Sequence, residues 1–455
     1  MQEQTLAVKR PTPANWLMFV LPSLLGVFLF MAPINYQDSL TIPIAILAKS
    51  VQALFEGSLT TMVTGMISLT AAATIVTKIV KPQAILKSHF FSGLLNPSLP
   101  WFIVQQLGAL FVLLTYFGVG PEMIRDGATG GLVLNDLLPV LFSVFLFAGL
   151  LLPLLLNFGL LEFVGALFTR IMRPLFNLPG RSAVNCIASW LGDGSVGVLM
   201  TSKQYESKIS TEREAAVIGT TFTAVSITFS LVVIAQVNLE HMFAPFYLTV
   251  CLAGLAAAVI VPRLPPLSWK KDRFIDGTPL TEDLEAVPAG HTVVSFGLEQ
   301  ALAKANEVTS LRAVMVDGIK NAADMIFGVL PVVMAIGTTA LMIAENTPIF
   351  SLMGLPFIPY LELLQIPDAA AASETIVVGF ADMFLPSILA SGIESDLTRF
   401  VIAAMSVTQL IYMSEIGALL IGSKIPVKPW ELFMIFILRT LVTLPVIALM
   451  GHFFF

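Results

Sequence analysis

Four carboxylates, Asp193, Glu374, Asp382 and Glu415, sit within apolar surroundings, and Arg439 is the one basic residue at comparable depth. An ionisable side chain inside a membrane segment is costly and marks a functional position by default. The excess of acids over bases favours a cation, either a coupling ion or part of a solute. Asp193 lies in Gly192-Asp193-Gly194-Ser195, where two glycines allow a sharp turn and a close approach of backbone to ligand. Asp382 lies in Ala381-Asp382-Met383-Phe384-Leu385-Pro386, where the proline lacks an N–H and interrupts a helix. Both acids also read as N-caps of the helices that follow, a role compatible with function. Glu415 ends the run Gln409-Leu410-Ile411-Tyr412-Met413-Ser414-Glu415. Read as a helix, this run puts Gln409 and Met413 on one face, with Ser414 and Glu415 to either side. The hydroxyls Thr220, Thr221, Thr223, Ser226 and Thr228 read mainly as interhelical contacts or back-bonds to their own helix. Arg439 reads as a snorkelling residue, with pairing to an acid as the alternative.

These residues need a membrane scaffold. The chain is 56% hydrophobic and 12% charged, with a mean hydropathy of +0.87, far from the composition of soluble domains. Apolar stretches near the ~20 residues that cross the hydrocarbon core occur at 16–34, 58–80, 99–119, 132–157, 214–237, 243–262, 322–344, 400–422 and 431–451. The first reads as a retained span, since no small-x-small cleavage pattern follows it. Pro-interrupted 41–56 and 348–365 read as interfacial helices. Segments 182–206 and 369–394 are apolar yet broken at their centres. Lys and Arg collect on the cytoplasmic side of short loops, so Lys9 and Arg10 place the N-terminus inside. Basic residues flank 182–206 on both sides and acids flank 369–394, which makes each a re-entrant hairpin, on opposite faces of the membrane.

A repeat organises the rest. The order span, linker helix, broken segment, span, span occurs over 132–262 and recurs over 322–455, separated by a solvated linker at 263–321 with a helix expected around 298–312, and preceded by N-terminal spans over 1–131. At one offset of 189 residues, Asn185 stands opposite Glu374 and Asp193 opposite Asp382. Three crossings per copy invert the second copy relative to the first. The expected fold is therefore an all-α polytopic membrane protein of inverted-topology repeats, each with a re-entrant helical hairpin. Such repeats place solute and ion sites near the midplane where the copies meet. Half-helices of about 10 residues rise ~15 Å, so both tips reach the centre of a ~30 Å core.

The phrases Thr41-Ile-Pro-Ile-Ala-Ile46, Ser189-Trp-Leu-Gly-Asp193-Gly, Thr375-Ile-Val-Val-Gly-Phe-Ala-Asp382 and Ser406-Val-Thr-Gln409-Leu-Ile-Tyr-Met-Ser-Glu415 resemble the YjiH family of bacterial inner-membrane proteins, which carry nucleoside-recognition Gate domains. The resemblance runs from about residue 15 to the end. It implies a membrane gate more strongly than any one substrate, because Gate domains occur in nucleoside and ferrous-iron transporters and in spore-maturation proteins. No residue set here selects a purine or pyrimidine.

The expected function is secondary transport of a small polar solute across the bacterial inner membrane, coupled to Na⁺ or H⁺. The site is expected at Asn185, Gly192, Asp193, Gly194, Ser195, Glu374, Gly379, Asp382, Gln409, Ser414 and Glu415, with Na⁺ placed near Asp193 or Asp382. A membrane scaffold and a channel are the rival readings. The partners expected are membrane lipid and the solute, with a homo-oligomer left open. Basic stripes for nucleic acid are absent from the sequence. Gly417 to Lys424 is a poor P-loop, because the order is Ser-Lys and no strand is expected before it. His89, His241, His291 and His452 are too scattered for a metal site. Cys186 and Cys251, in apolar runs, read as packing residues.

Overall fold

A computed structural model of the chain describes residues 13–32, 34–36, 39–55, 57–191, 194–222, 225, 227–280 and 291–455. They form an almost entirely helical membrane protein, with one short antiparallel strand pair, Ile34–Tyr36 with Ser39–Thr41. Seven helices are long and apolar enough to cross a bilayer: Pro13–Phe30, Leu59–Val80, Leu99–Tyr116, Glu122–Leu156, Glu240–Arg263, Leu311–Asn346 and Pro429–Phe454. The other two long apolar stretches, read as continuous spans from sequence, are each broken. Residues 214–237 divide into Glu212–Thr221 and Ile227–Gln236. Residues 400–422 divide into Asp396–Gln409 and Ile416–Gly422.

The first long helices of the two repeats share an unusual local form. Val133–Leu137 and Asp324–Val329 are π-helical turns, and each leads into a Leu-Pro-Val sequence that opens a regular helix, Leu138–Leu151 and Leu330–Asn346. A π-turn followed by proline relaxes the backbone pairing where proline removes a donor. These helices run antiparallel against each other. A Cβ on Gly149 would lie 2.5 Å from Ala322, one on Gly318 would lie 2.4 Å from the Leu150 carbonyl, and one on Gly337 would lie 3.5 Å from Val133. Rising numbers on one helix meet falling numbers on the other, as inverted copies require.

Helices Ser182–Leu191 and Gly194–Glu206 form a tight antiparallel hairpin. The Asn185 and Gln204 carboxamides donate to each other at 2.8 and 2.7 Å, and Gly197 passes so close to Ser189 that a Cβ there would clash. In the second repeat, Ala369–Val378 packs on the six-residue helix Leu385–Ala390. The short helices Ile349–Gly354 and Ile358–Leu363 brace Ala369–Val378, and Pro43–Leu54 lies against Leu138–Leu151.

The hydrophilic connector is more than a solvated loop. Its helix is Val293–Asn306, and it buries Ala301, Leu302 and Ala305 against Phe19 and helix Leu160–Phe176. Arg312 belongs to the next helix, Leu311–Ala323, which continues into the span. The segment before residue 280 is pinned to the hairpin exit by Arg273 to Glu212, Arg213 to Asp272 and Lys208 to Asp276. Hydrogen bonds from Lys208 and then from Thr278 hold the exposed Asp276 carboxyl well below its ordinary range.

The antiparallel contact depends on glycine. Gly149→Val should destabilise the protein by about 1–3 kcal/mol through overpacking, read as a lower thermal midpoint in detergent. Gly65→Ala, where nothing lies within 4 Å of an added Cβ, should leave the midpoint unchanged or raise it. Equal midpoints for Gly149→Val and the parent chain would refute the close contact.

Candidate functional site

The second broken span explains the site. Helix Asp396–Gln409 stops at Leu410, a non-glycine residue at φ +60°, and helical structure resumes only at Ile416. A branched side chain in the left-handed region is strained and persists only where surroundings enforce it. Here the enforcing contacts are backbone pairs. The Met413 N–H donates to the Phe380 carbonyl and the Ser414 N–H to the Ala381 carbonyl, both at 2.8 Å. Phe380 and Ala381 belong to the break in the second hairpin, so two openings in two helices satisfy each other.

Side chains complete the joint. The Ser414 hydroxyl donates to Asp382 Oδ2 at 2.6 Å, and Asp382 Oδ1 accepts from the Phe384 N–H at 2.8 Å. Asp382 thus shapes the turn before Leu385–Ala390, although Phe384 and not Asp382 stands at that helix's N-cap, and it grips the unwound span with its other oxygen. The Gln409 carboxamide donates to the Ile376 carbonyl at 3.0 Å and to Thr440 Oγ1 at 2.9 Å. Its oxygen lies 2.2 Å from where a Cβ on Gly379 would stand, so any side chain there would push the Gln409 carboxamide aside.

Arg439 corrects the sequence reading. It is fully buried rather than snorkelling. Its guanidinium donates to the Thr408 carbonyl at 3.2 and 2.9 Å and to the Thr221 carbonyl at 3.4 Å. Those carbonyls end the first halves of both broken spans, where helix termini leave acceptors unpaired. One cation therefore caps two helix C-termini, one from each repeat, where the helix dipole favours positive charge.

A cavity of about 300 Å³ opens beside this joint. Gly194 from the first hairpin, Asp382, Met383 and Phe384 from the second, and Tyr412 and Glu415 from the unwound span line it, together with Leu132, Asp136 and Phe229. Among the described residues, three carboxylates face this space and no lysine or arginine lines it. The Tyr412 hydroxyl donates to Glu415 Oε2 at 3.4 Å.

Several expected site residues fall elsewhere. Gly192 and Asp193 lie outside the described residues. Asn185 is fully buried and committed to Gln204 and Thr201 inside its hairpin. Ser195 is buried and away from the cavity lining. Glu374 sits on the exposed face of Ala369–Val378, apart from the cavity, although the gapless alignment set it opposite Asn185. Gln409 and Met413 do not share a helical face, because the helix has ended between them. The Thr220 hydroxyl back-bonds to the Ala216 carbonyl, as read from sequence. Asp136 was missed. Its signal is an acid within an otherwise apolar stretch, on a π-turn of the kind that recurs at functional sites.

Residues 138–240 match the Gate family, described as nucleoside recognition. The match spans the first hairpin and most of the first broken span. An uncharacterized protein of Alkalihalophilus pseudofirmus is 51% identical over 444 residues, covering 98% of this chain and 96% of the relative. The chain belongs to that protein's family and carries a Gate domain. No solved structure matches it. The Gate match and the seven apolar helices together make this a multi-pass membrane protein.

The Asp382–Ser414 contact should be energetically real. A hydrogen bond to a charged group contributes about 1.5–3 kcal/mol, so a double-mutant cycle of Asp382→Asn and Ser414→Ala, read by thermal unfolding in detergent, should show coupling of at least about 1 kcal/mol. Strict additivity would mean that the two side chains do not interact.

Proposed function

We propose that the chain is a secondary active transporter of a small polar solute, coupled to Na⁺ or H⁺ and working in the bacterial inner membrane with a cytoplasmic N-terminus, as the YjiH type of Gate protein. The observation that carries this reading is the joint at Phe380–Asp382 and Met413–Glu415, where two discontinuous helices meet at a largely apolar cavity into which carboxylates project. Irregular backbone at membrane depth is tolerated where it lines a cavity, and broken helices are where transporters hold ions. In this reading the two helical hairpins are re-entrant. Asp382 and Glu415 hold the coupling cation, and Asp136 faces them across the cavity.

Coupling follows from differential binding. A cation on Asp382 and Glu415 neutralises charge that otherwise resists closure of a low-dielectric site, so the loaded state closes more readily than the empty one. Movement of one repeat against the other then exposes the site to the opposite side.

Proteoliposomes test this. A panel of labelled amino acids, nucleosides and sugars is offered under an inward Na⁺ or H⁺ gradient. At least one solute should accumulate only with a gradient, and Asp382→Asn and Glu415→Gln should each slow its initial rate at least about tenfold, equivalent to ~1.4 kcal/mol. Unchanged rates in both variants would remove these residues from the mechanism. Absence of flux with folded protein across the panel would favour the scaffold reading.

A further inference from the structure

A second, partly open space lies beyond the acid cavity, and one of its walls is the counterpart of a wall of the first. A shift of 192 residues places Leu138-Pro139-Val140 on Leu330-Pro331-Val332. The same shift carries Leu132, Asp136, Leu137 and Val140, which line the acid cavity, onto Asp324, Gly328, Val329 and Val332, which line the second. The second cavity measures about 340 Å³ and adjoins a wider one of about 750 Å³, with Gly93, Glu206, Asp324 and Lys424 as common walls. Along helix Ile416–Gly422, Glu415 and Ser423 are separated by roughly 12 Å of helix rise, so the two spaces are distinct.

Three groups in the second cavity lack partners among the described residues. Gln105 is 5% exposed, yet its carboxamide makes no hydrogen bond, and its oxygen is wholly buried. The adjacent Gln106, by contrast, bonds Thr74 and the Ala71 carbonyl between helices. Glu206 Oε2 takes Lys203, while Glu206 Oε1 is buried with nothing to accept from. Lys424 forms no ion pair. A buried polar atom without a partner costs about 1–3 kcal/mol, so two of them, Gln105 Oε1 and Glu206 Oε1, beside the exposed ammonium of Lys424 mark a site shaped for something that supplies the missing contacts.

The charges define that ligand. Lys203 bridges Glu206 and Asp324, one cation for two carboxylates, which leaves a single negative charge beside the single positive charge of Lys424. The space is balanced overall but polarised, so an occupant that is neutral in total and charged at both ends disturbs it least. We propose that this cavity binds a small zwitterion of the α-amino acid class. The ammonium donates to Glu206 Oε1 and to Gln105 Oε1, the carboxylate meets Lys424, and the side chain lies against Trp101. This rests on the transport reading above and names the solute class of that transporter. The chemistry of an ammonium joined to an anion is shared by the headgroup of phosphatidylethanolamine.

The test uses the full chain in nanodiscs without any gradient, so it is independent of coupling. Neutral L-amino acids, among them serine, glutamine and phenylalanine, are compared with the corresponding amines and carboxylic acids in phosphatidylglycerol discs. At least one amino acid should bind saturably and raise the thermal midpoint, while amines and acids fail. Gln105→Leu should weaken binding at least tenfold. So should Lys424→Gln, an exposed position whose replacement leaves folding intact, whereas Gly65→Ala, where an added methyl meets nothing within 4 Å, should bind normally. No stabilisation by any amino acid, or equal affinity in both cavity variants, overturns the proposal. Stabilisation by phosphatidylethanolamine alone also overturns it, assigning the site to lipid. Zwitterion binding without gradient-driven flux would leave this site standing and fail the transport reading instead.

Discussion

Backbone hydrogen bonding in a place without water is the constraint on which this structure turns. Each unsatisfied N–H or C=O in hydrocarbon costs several kcal/mol, so a helix can open inside a membrane only if something else takes its broken pairs. In the second repeat the opening at 410–415 and the opening at 379–384 do this for each other, through Met413 to Phe380 and Ser414 to Ala381. Arg439 and Gln409 take the remaining helix-end carbonyls of Thr408, Thr221 and Ile376. The polar side chains that look expensive in isolation are the means by which the openings exist at all. The joint ties the hairpin, the broken span and helix Pro429–Phe454 into one unit.

The sequence made some of this legible and hid the rest, for identifiable reasons. Glycine at 192 and 194 and proline at 386 announce the hairpin breaks, because those residues act through local backbone chemistry. The break after Gln409 has no such announcement. Leu410, Ile411 and Tyr412 are apolar residues that read as helix, and they leave it because a second segment pairs with their backbone, a tertiary cause. Arg439 was misread for a similar reason: its acceptors are carbonyls from two other helices, 31 and 218 residues away in sequence. Glu374 shows the opposite error. The offset of 189 residues aligned it with a buried Asn185, yet the two helices turn different faces to the interior. Asp136 was readable in principle, but it stood near the edge of an expected span, where acids are common.

The repeats are alike in backbone and unlike in chemistry. Both contain a π-turn, a Leu-Pro-Val helix start, a hairpin and a broken span, and their first helices pack antiparallel through Gly149, Gly318 and Gly337. Yet the π-turn acid stands at Asp136 in one and at Asp324 in the other, positions that do not correspond under the repeat. Asp136 belongs to a cavity whose described lining holds acids and no lysine or arginine, whereas Asp324 is held by Lys203. Along these corresponding helices the two spaces differ in charge: one is lined by three carboxylates, the other by two carboxylates and Lys424.

The central claim is that a cation occupies the joint at Asp382 and moves with its conformational change. Solid-supported membrane recording on reconstituted protein tests this most directly, because it registers charge displacement whatever the solute. A jump in Na⁺ or in proton concentration should produce a transient current that saturates with the ion and disappears in Asp382→Asn. A current of equal size in that variant, or none in the parent chain under either jump, would contradict the account.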